Sequence, residues 1–344
     1  MKIIKNISFL NNKNILVTGG TGSFGSYFVK TLLKFSRPKR LVIYSRDEFK
    51  QAELKEELDN YPNKKCLRFF IGDVRDLERL KLSCRDIEFI IHTAALKQID
   101  TAEYNPFECV KTNITGAENI VNASLVSSIK KVIAISTDKA VNPINLYGAS
   151  KLASDKIFIS ANQFSKPKDA KFSVVRYGNV IASRGSVIPY FLNSRSNKNK
   201  KINITHKDMS RFWISIHDAV YFVISCCKSM IGGEIFVPKI PSIKTIDIAK
   251  SLAPSNKINF IGKRPGEKIH EVLVSEEVSD YTYENKDRYI TIPDFIDKTK
   301  YIKKYKNFKK IKENFRYDSL NNTDWVSRNK IENFIKESIK KNIC

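Results

Sequence analysis

Ile15-Leu16-Val17-Thr18-Gly19-Gly20-Thr21-Gly22-Ser23-Phe24-Gly25 joins an apolar run to a glycine-rich turn, and a helical stretch from Ser26 to Phe35 follows. Strand, turn and helix in that order decide the fold. The Gly20-x-Gly22-x-x-Gly25 spacing makes a tight turn, lets backbone approach a pyrophosphate and lets the helix sit close on the strand. The helix N-terminus beyond it offers free N–H groups and a positive dipole end to phosphates. Gly19, Thr21, Gly22, Ser23, Phe24 and Gly25 are therefore expected to hold a dinucleotide.

Outward from this turn, strand-like and helix-like segments alternate. Branched apolar runs recur at Leu41–Tyr44, Leu67–Ile71, Phe89–Ile91, Val132–Ile135 and Ser173–Val175, with helical stretches at Glu48–Leu58 and Thr115–Ser127 between them. The runs do not alternate with polar residues, which fits strands covered on both faces. The expected fold is α/β: a Rossmann-type doubly wound parallel sheet over residues 1–180, carrying a catalytic segment at 136–151. Residues 181–344 are expected to form a smaller α/β substrate domain and a basic tail, interleaved with the first domain. Glu234–Val237 reads as a strand there and Thr245–Leu252 as a helix. Ile331, Phe334, Ile335 and Ile339 fall at helical spacing and predict an amphipathic terminal helix.

Bulk composition narrows the function. The chain has 344 residues and is 42% hydrophobic, enough for a packed core. No apolar run is long enough to span a bilayer, and Met1–Lys5 lacks the apolar region of a signal peptide. Six cysteines without Cys-x-x-Cys spacing read as thiols in a reducing cytoplasm, and four scattered histidines give no metal site. The net charge is +24 with a pI near 9.6. The basic residues are not gathered in one aromatic-studded stripe; they are densest at Lys198–Lys201 and Lys298–Lys341, and solvated surface is the better reading than a nucleic-acid face.

The second strand ends Tyr44-Ser45-Arg46-Asp47. An NAD enzyme usually places a carboxylate at that strand end for the ribose 2′-hydroxyl. Ser45 and Arg46 stand there instead, and a guanidinium suits a 2′-phosphate, so NADP is preferred to NAD. The competing reading leaves Arg46 in solvent and gives the ribose to Asp47. Asp73 and Val74 after the third strand are expected near the adenine, and Ala94 and Ala95 after the fourth near the cofactor backbone.

Ser136-Thr137-Asp138-Lys139 and Asn145-Leu146-Tyr147-Gly148-Ala149-Ser150-Lys151 carry the reactive groups. Tyr147 and Lys151 are four apart and share a helix face. A nearby ammonium favours phenolate, which makes Tyr147 a base for an alcohol proton while hydride leaves to a nicotinamide.

With these segments the sequence resembles the extended short-chain dehydrogenase/reductase family. Thr137–Ala140, Asn145–Lys151 and Arg176-Tyr177-Gly178-Asn179-Val180 are similar to the bacterial UDP-N-acetylglucosamine 4,6-dehydratases. Ala95–Gln98, Tyr104–Glu108, Lys111–Asn113, Ser183–Pro189, Ser210–Trp213, Phe236–Lys239 and Arg264–Lys268 fit the same subgroup, over roughly Lys13 to Val274. The inverting form that starts pseudaminic acid synthesis is the nearer likeness, since relatives that retain configuration often carry methionine where Tyr147 stands. The resemblance does not extend past Pro293.

The resemblance implies that Lys139 takes the C5 proton and Asp138 protonates the leaving C6 hydroxyl of a UDP-sugar. Lys139 would then need a lowered pKa and Asp138 a raised one, which burial could provide. Lys97, Asn179, Arg184, Arg211, Arg264 and Glu267 are candidate substrate contacts, with the arginines matched to a diphosphate. A homo-oligomer is also implied. A 4- or 5-epimerase on the same fold remains the alternative, and from another class a non-catalytic basic protein that binds nucleotides or nucleic acid.

Overall fold

The computed structural model describes residues 7–165, 169–181, 183, 186–197, 201–295 and 297–343. Its central feature is a ten-stranded sheet. The first half supplies β1 (Asn14–Thr18), β2 (Arg40–Ser45), β3 (Leu67–Ile71), β4 (Phe89–His92), β5 (Lys131–Thr137) and β6 (Lys171–Tyr177). The short β7 (Asn179–Val180), β8 (Ile202–Ile204) and β9 (Ser210–Ile214) follow, then β10 (Ile235–Pro238), β11 (Ser242–Lys244), β12 (Ile258–Phe260) and β13 (Val272–Val274). The chain ends with β14 (Thr282–Glu284), β15 (Arg288–Thr291), β16 (Lys309–Lys310) and β17 (Tyr317–Asp318).

The strand order is β16-β14-β15-β10-β6-β5-β4-β1-β2-β3. Every pairing from β3 through β10 is parallel, and β15, β14 and β16 extend the sheet antiparallel. The chain winds outward from β1 through β2 to β3, then returns to lay β4 on the other side of β1. That reversal is the switch point at which doubly wound sheets bind ligands, beyond the carboxyl ends of their strands. β10 reaches the sheet from the second half of the chain, so the two halves interleave in one sheet.

Helices cover both faces. In the first half these are α1 (Ser23–Phe35), α2 (Glu48–Glu57), α3 (Leu77–Ser83), α4 (Ile99–Tyr104), α5 (Pro106–Val110), α6 (Gly116–Leu125) and α7 (Leu146–Phe164). Side-chain caps start several of them: Asp47 accepts from Lys50 N–H, Asp76 from Arg79 N–H and Asn145 from Gly148 N–H. The four residues of β4 are all buried, whereas edge strand β3 leaves Arg68 and Ile71 exposed.

The second half adds α8 (Val187–Arg195), α9 (Ile216–Ser229), α10 (Thr245–Leu252), α11 (Thr299–Lys304) and α12 (Ile331–Ile343). A separate smaller core joins Phe191, Ile202, Trp213, Ile243, Ile248 and Leu252 with Ile331 and Ile335 of α12. The terminal helix thus buries its apolar stripe under the second half. No helix among the described residues is long and apolar enough to cross a membrane.

Candidate active site

The turn after β1 is built for a close ligand. Gly19 has φ of +64°, and a Cβ there would lie 2.7 Å from Thr93 Oγ1. A Cβ on Gly25 would meet Gly19 O at 2.5 Å and Gly20 Cα at 2.7 Å, so only glycine lets α1 approach the turn this closely. Gly22 caps α1 without any side-chain cap bond, which leaves the first-turn N–H groups for a ligand. Across the switch point, Thr18 Oγ1 lies 2.8 Å from His92 Nδ1 and accepts from Thr93 N–H at 3.2 Å. Burial holds His92 neutral, its pKa pushed down to about 3. The ends of β1 and β4 are thereby tied together beneath the turn.

From this turn a cleft of about 910 Å³ runs to the second half of the molecule. Gly19, Thr21, Gly22, Ser23, Phe24, Gly25, Ala94 and Ala95 line one end. Thr137, Lys139, Tyr147 and Lys151 line the middle, and Lys97, Asn179, Arg211, Arg264 and Glu267 line the remainder. Residues far apart in sequence therefore share one cavity. Arg184 lies outside the described residues.

Ser45, Arg46, Asp73 and Val74 stand beside the cleft rather than on its wall. Ser45 Oγ accepts from Gln51 Nε2 at 3.0 Å. The exposed Arg46 guanidinium is 3.5 Å from Asp73 Oδ2, and that carboxylate also receives Arg75 Nη2 at 2.7 Å. Val74 is buried against Gly116, where a Cβ would come within 2.8 Å of Val74 Cγ2. Asp47 uses its carboxylate to cap α2.

The catalytic segment turns sharply at the end of β5. Thr137 Oγ1 donates to Asp138 Oδ1 at 2.9 Å, and Lys139 Nζ donates to the same oxygen at 3.0 Å. Asp138 is fully buried beneath the cleft, and its Oδ2 has no hydrogen-bond partner. Burial raises its pKa above the ordinary carboxylate range, against the pull of Lys139. This is the direction an acid requires.

Lys139 departs from expectation. Burial alone would lower its pKa, but Asp138 and Glu271 outweigh burial and raise it. The lowered value expected from the sequence is not its resting state; the ammonium is held between two carboxylates. Tyr147 also differs. Burial pushes its phenol up to about 12, and the groups that resist this are Lys139 and the Thr137 hydroxyl rather than Lys151. Lys151 Nζ instead donates to Ile135 O at 2.8 Å, and burial lowers its pKa. Beneath it Asp155 Oδ2 takes Arg176 Nε at 2.8 Å and Ser136 Oγ at 2.9 Å.

Sequence reasoning missed Glu271 and Lys268. Glu271 Oε1 lies 3.3 Å from Lys139 Nζ and 3.7 Å from Arg211 Nε, and Lys268 Nζ stands 3.9 Å from Oε2. Arg211 itself donates to the carbonyls of Ser210, Ile269 and Lys268, pinning this segment to the cleft. The only signal was the Lys268-x-x-Glu271 spacing, which in a loop carries no periodicity. Among the described residues no cluster of His, Cys, Asp or Glu is arranged to hold a metal ion.

Comparisons with known proteins agree with this architecture. The family model for "Polysaccharide biosynthesis protein" matches residues 15–293. The protein of Campylobacter jejuni subsp. jejuni serotype O:23/36 (strain 81-176) named UDP-N-acetylglucosamine 4,6-dehydratase (inverting) is 48% identical over 337 residues, 95% of this chain and 98% of that protein. A Rickettsia bellii (strain OSU 85-389) protein named UDP-glucose 4-epimerase is 43% identical over 273 residues, 77% of this chain and 79% of that protein. The X-ray structure of Pen from Bacillus thuringiensis superposes with a TM-score of 0.87 at 35% identity, covering 96% of this chain and 99% of that one. The chain belongs to the polysaccharide biosynthesis protein family, on the fold of the extended short-chain dehydrogenases/reductases.

Proposed function

We propose that this protein is a 4,6-dehydratase that acts on UDP-N-acetylglucosamine, uses NADP and inverts C5. The observation that carries the reading is the Asp138–Lys139 pair, joined by one 3.0 Å hydrogen bond at the end of β5, with Lys139 on the wall of the cleft that holds Tyr147 and Asp138 buried beneath it. The 48% identity to a protein named for this activity, over 95% of the chain, supports it.

The glycine turn and the uncapped start of α1 fit a dinucleotide pyrophosphate, with the exposed Arg46 at the end of β2 as the ground for NADP. Held by Gly19–Gly25, Ala94 and Ala95, a bound dinucleotide would supply the hydride acceptor for C4 and the hydride donor for C6. Tyr147 takes the O4 proton as C4 is oxidised, and the Lys139 charge favours the phenolate. Passage of one proton from Lys139 Nζ to Asp138 Oδ1 along their shared hydrogen bond produces a free amine and a carboxylic acid together. The amine takes the C5 proton, made acidic by the adjacent ketone. The acid protonates the C6 hydroxyl, which leaves as water. This restores the ammonium–carboxylate pair. A solvent proton delivered to C5 from the opposite face then gives the inverted 4-keto-6-deoxy sugar, and Tyr147 releases the O4 proton to solvent in exchange.

Lys97, Asn179, Arg211, Arg264 and Glu267, together with Arg184, are proposed to hold the UDP-sugar. Within this reading the enzyme works in the cytoplasm as a homo-oligomer. Exposed Tyr104 and Phe107, 90% and 77% accessible on α4 and α5, supply an apolar face for a second copy. The domain division at residue 180 is likewise proposed, with the cofactor turn and the catalytic segment before it and most of the sugar contacts after it. Incubation with UDP-N-acetylglucosamine tests the function: a new C6 methyl signal in the proton NMR spectrum is expected. Interconversion at C4 without a methyl signal would instead make the chain an epimerase.

A further inference from the structure

Glu271 reaches the active site from the far half of the chain, immediately before β13, and its carboxylate has no solvent role: the side chain is 2% exposed. Its backbone is locked on both sides. Glu271 N–H donates to Ser319 Oγ at 3.0 Å, and Ser319 N–H donates to Glu271 O at 2.8 Å. Lys268 Nζ donates to Val141 O at 2.6 Å, which ties the same segment to the turn carrying Asp138 and Lys139. Three cations face the carboxylate. Lys139 Nζ is nearest at 3.3 Å, with Arg211 Nε at 3.7 Å and Lys268 Nζ at 3.9 Å. Glu271 Oε2 is buried without a hydrogen-bond partner.

We propose that Glu271 is a positioning residue for proton abstraction, the fixed counter-charge that keeps Lys139 basic enough to take a carbon-bound proton and that holds the resulting ammonium in place. The inference rests on the dehydratase reading above. A buried amine without a counter-charge is a weak base, because the protein interior disfavours its charged form. Asp138 cannot fill this place during the step, since it is then the neutral acid. Glu271 stays ionised throughout, while Lys139 gains the C5 proton and the electron pair of the C–H bond passes into the enolate. The arrangement parallels the buried carboxylate that steadies an imidazolium in a hydrolase triad.

The charged groups facing Lys139 are Asp138, Tyr147 and Glu271, with Arg211 and Lys268 behind Glu271, and the test uses two of them with opposite signs. Deuterium entry at C5 is followed by NMR across a pD series for the wild type, Glu271→Gln, Glu271→Asp and Lys268→Met. Glu271→Gln is expected to move the acid limb of the profile down by about one pH unit and to slow exchange at least about tenfold, the scale of a lost charge at hydrogen-bond distance. Glu271→Asp keeps the charge and returns the limb toward the wild type. Lys268→Met removes a cation and moves the limb upward. A Glu271→Gln enzyme that is slower with an unmoved limb overturns the proposal, and so does an aspartate variant that matches the glutamine one. If Glu271→Gln does not fold, the upward shift in Lys268→Met decides, and its absence overturns the proposal. A wild-type protein that forms no C6 methyl group refutes the dehydratase reading itself; normal turnover with unmoved limbs refutes only the role of Glu271.

Discussion

Replacement of Gly148 by alanine separates activity from stability. Gly148 lies in the first turn of α7, one residue after Tyr147. A Cβ there would fall inside the contact radius of the Lys139 carbonyl oxygen, with Pro143 Cβ at 3.1 Å and Asn145 Oδ1 at 3.2 Å closing the other sides. The clash is with backbone, so α7 and the Asp138–Ala140 turn must part by most of an ångström. Tyr147 and Lys151 ride on the helix, and Asp138 and Lys139 on the turn. Two opposing terms set the stability change. Overpacking costs about 1–3 kcal/mol, and alanine returns about 1 kcal/mol of helix propensity. The net loss is therefore small, roughly 0–2 kcal/mol. The catalytic loss is not small, because a displacement of about 1 Å between reacting groups costs on the order of 100-fold. Formation of the C6 methyl group, followed by NMR at saturating UDP-N-acetylglucosamine, should fall by about that factor. Dinucleotide affinity should change little, because the Gly19–Gly25 turn is elsewhere. A Gly148→Ala enzyme with kcat within about threefold of the wild type would refute the argument that turn and helix work as one unit.

Other consequences follow from the same geometry. Gly25→Ala places a methyl 2.5 Å from Gly19 O, and the roughly 1–3 kcal/mol of strain should weaken dinucleotide binding about 5- to 150-fold by calorimetric titration; unchanged affinity would remove the turn from the cofactor site. Asp155→Asn leaves the Arg176 guanidinium buried without the counter-charge it has at 2.8 Å, both side chains being under a tenth exposed, and should cost roughly 3–5 kcal/mol in urea unfolding; a loss below about 1 kcal/mol would show the charge pair to be dispensable. His92 is neutral when folded, with its pKa at about 3 against an ordinary 6.5, so the unfolded chain binds the extra proton between those values and stability falls as pH drops through that window. Between pH 7.5 and pH 5 the wild type should lose about 2 kcal/mol that a His92→Gln variant does not lose; equal pH slopes would contradict the buried neutral imidazole.

The parts of the molecule legible in the sequence are those written in short stretches. Ile15–Gly25 carries strand, turn and helix within one window, and the local sterics of glycine leave few other conformations. Tyr147 and Lys151 declare their shared face by spacing, and Asp138 and Lys139 are neighbours in the chain. What escaped was long-range. Glu271 meets Lys139 across 132 residues of chain, from a loop without periodicity, and together with Asp138 it reverses the pKa direction expected of that lysine. β10 has the composition of any buried strand, and its place beside β6 follows a crossover through α9, which packs on β5 and β6. The short α4 and α5 lie too close to the helix-nucleation limit for periodicity to announce them. Arg46 was read as a phosphate ligand from its position alone, and its approach to Asp73 arises only once β2 and β3 are paired.

The central claim is that hydrogen leaves C4 and returns to C6 of the same sugar while C5 exchanges with solvent. UDP-N-acetylglucosamine deuterated at C4, turned over in ordinary water and read by NMR and mass spectrometry, tests it most directly. The deuterium is expected to reappear in the C6 methyl group, with a solvent proton at C5 and C5 couplings of the inverted sugar. Deuterium retained at C4 in an epimerised product, with no methyl group formed, would contradict it.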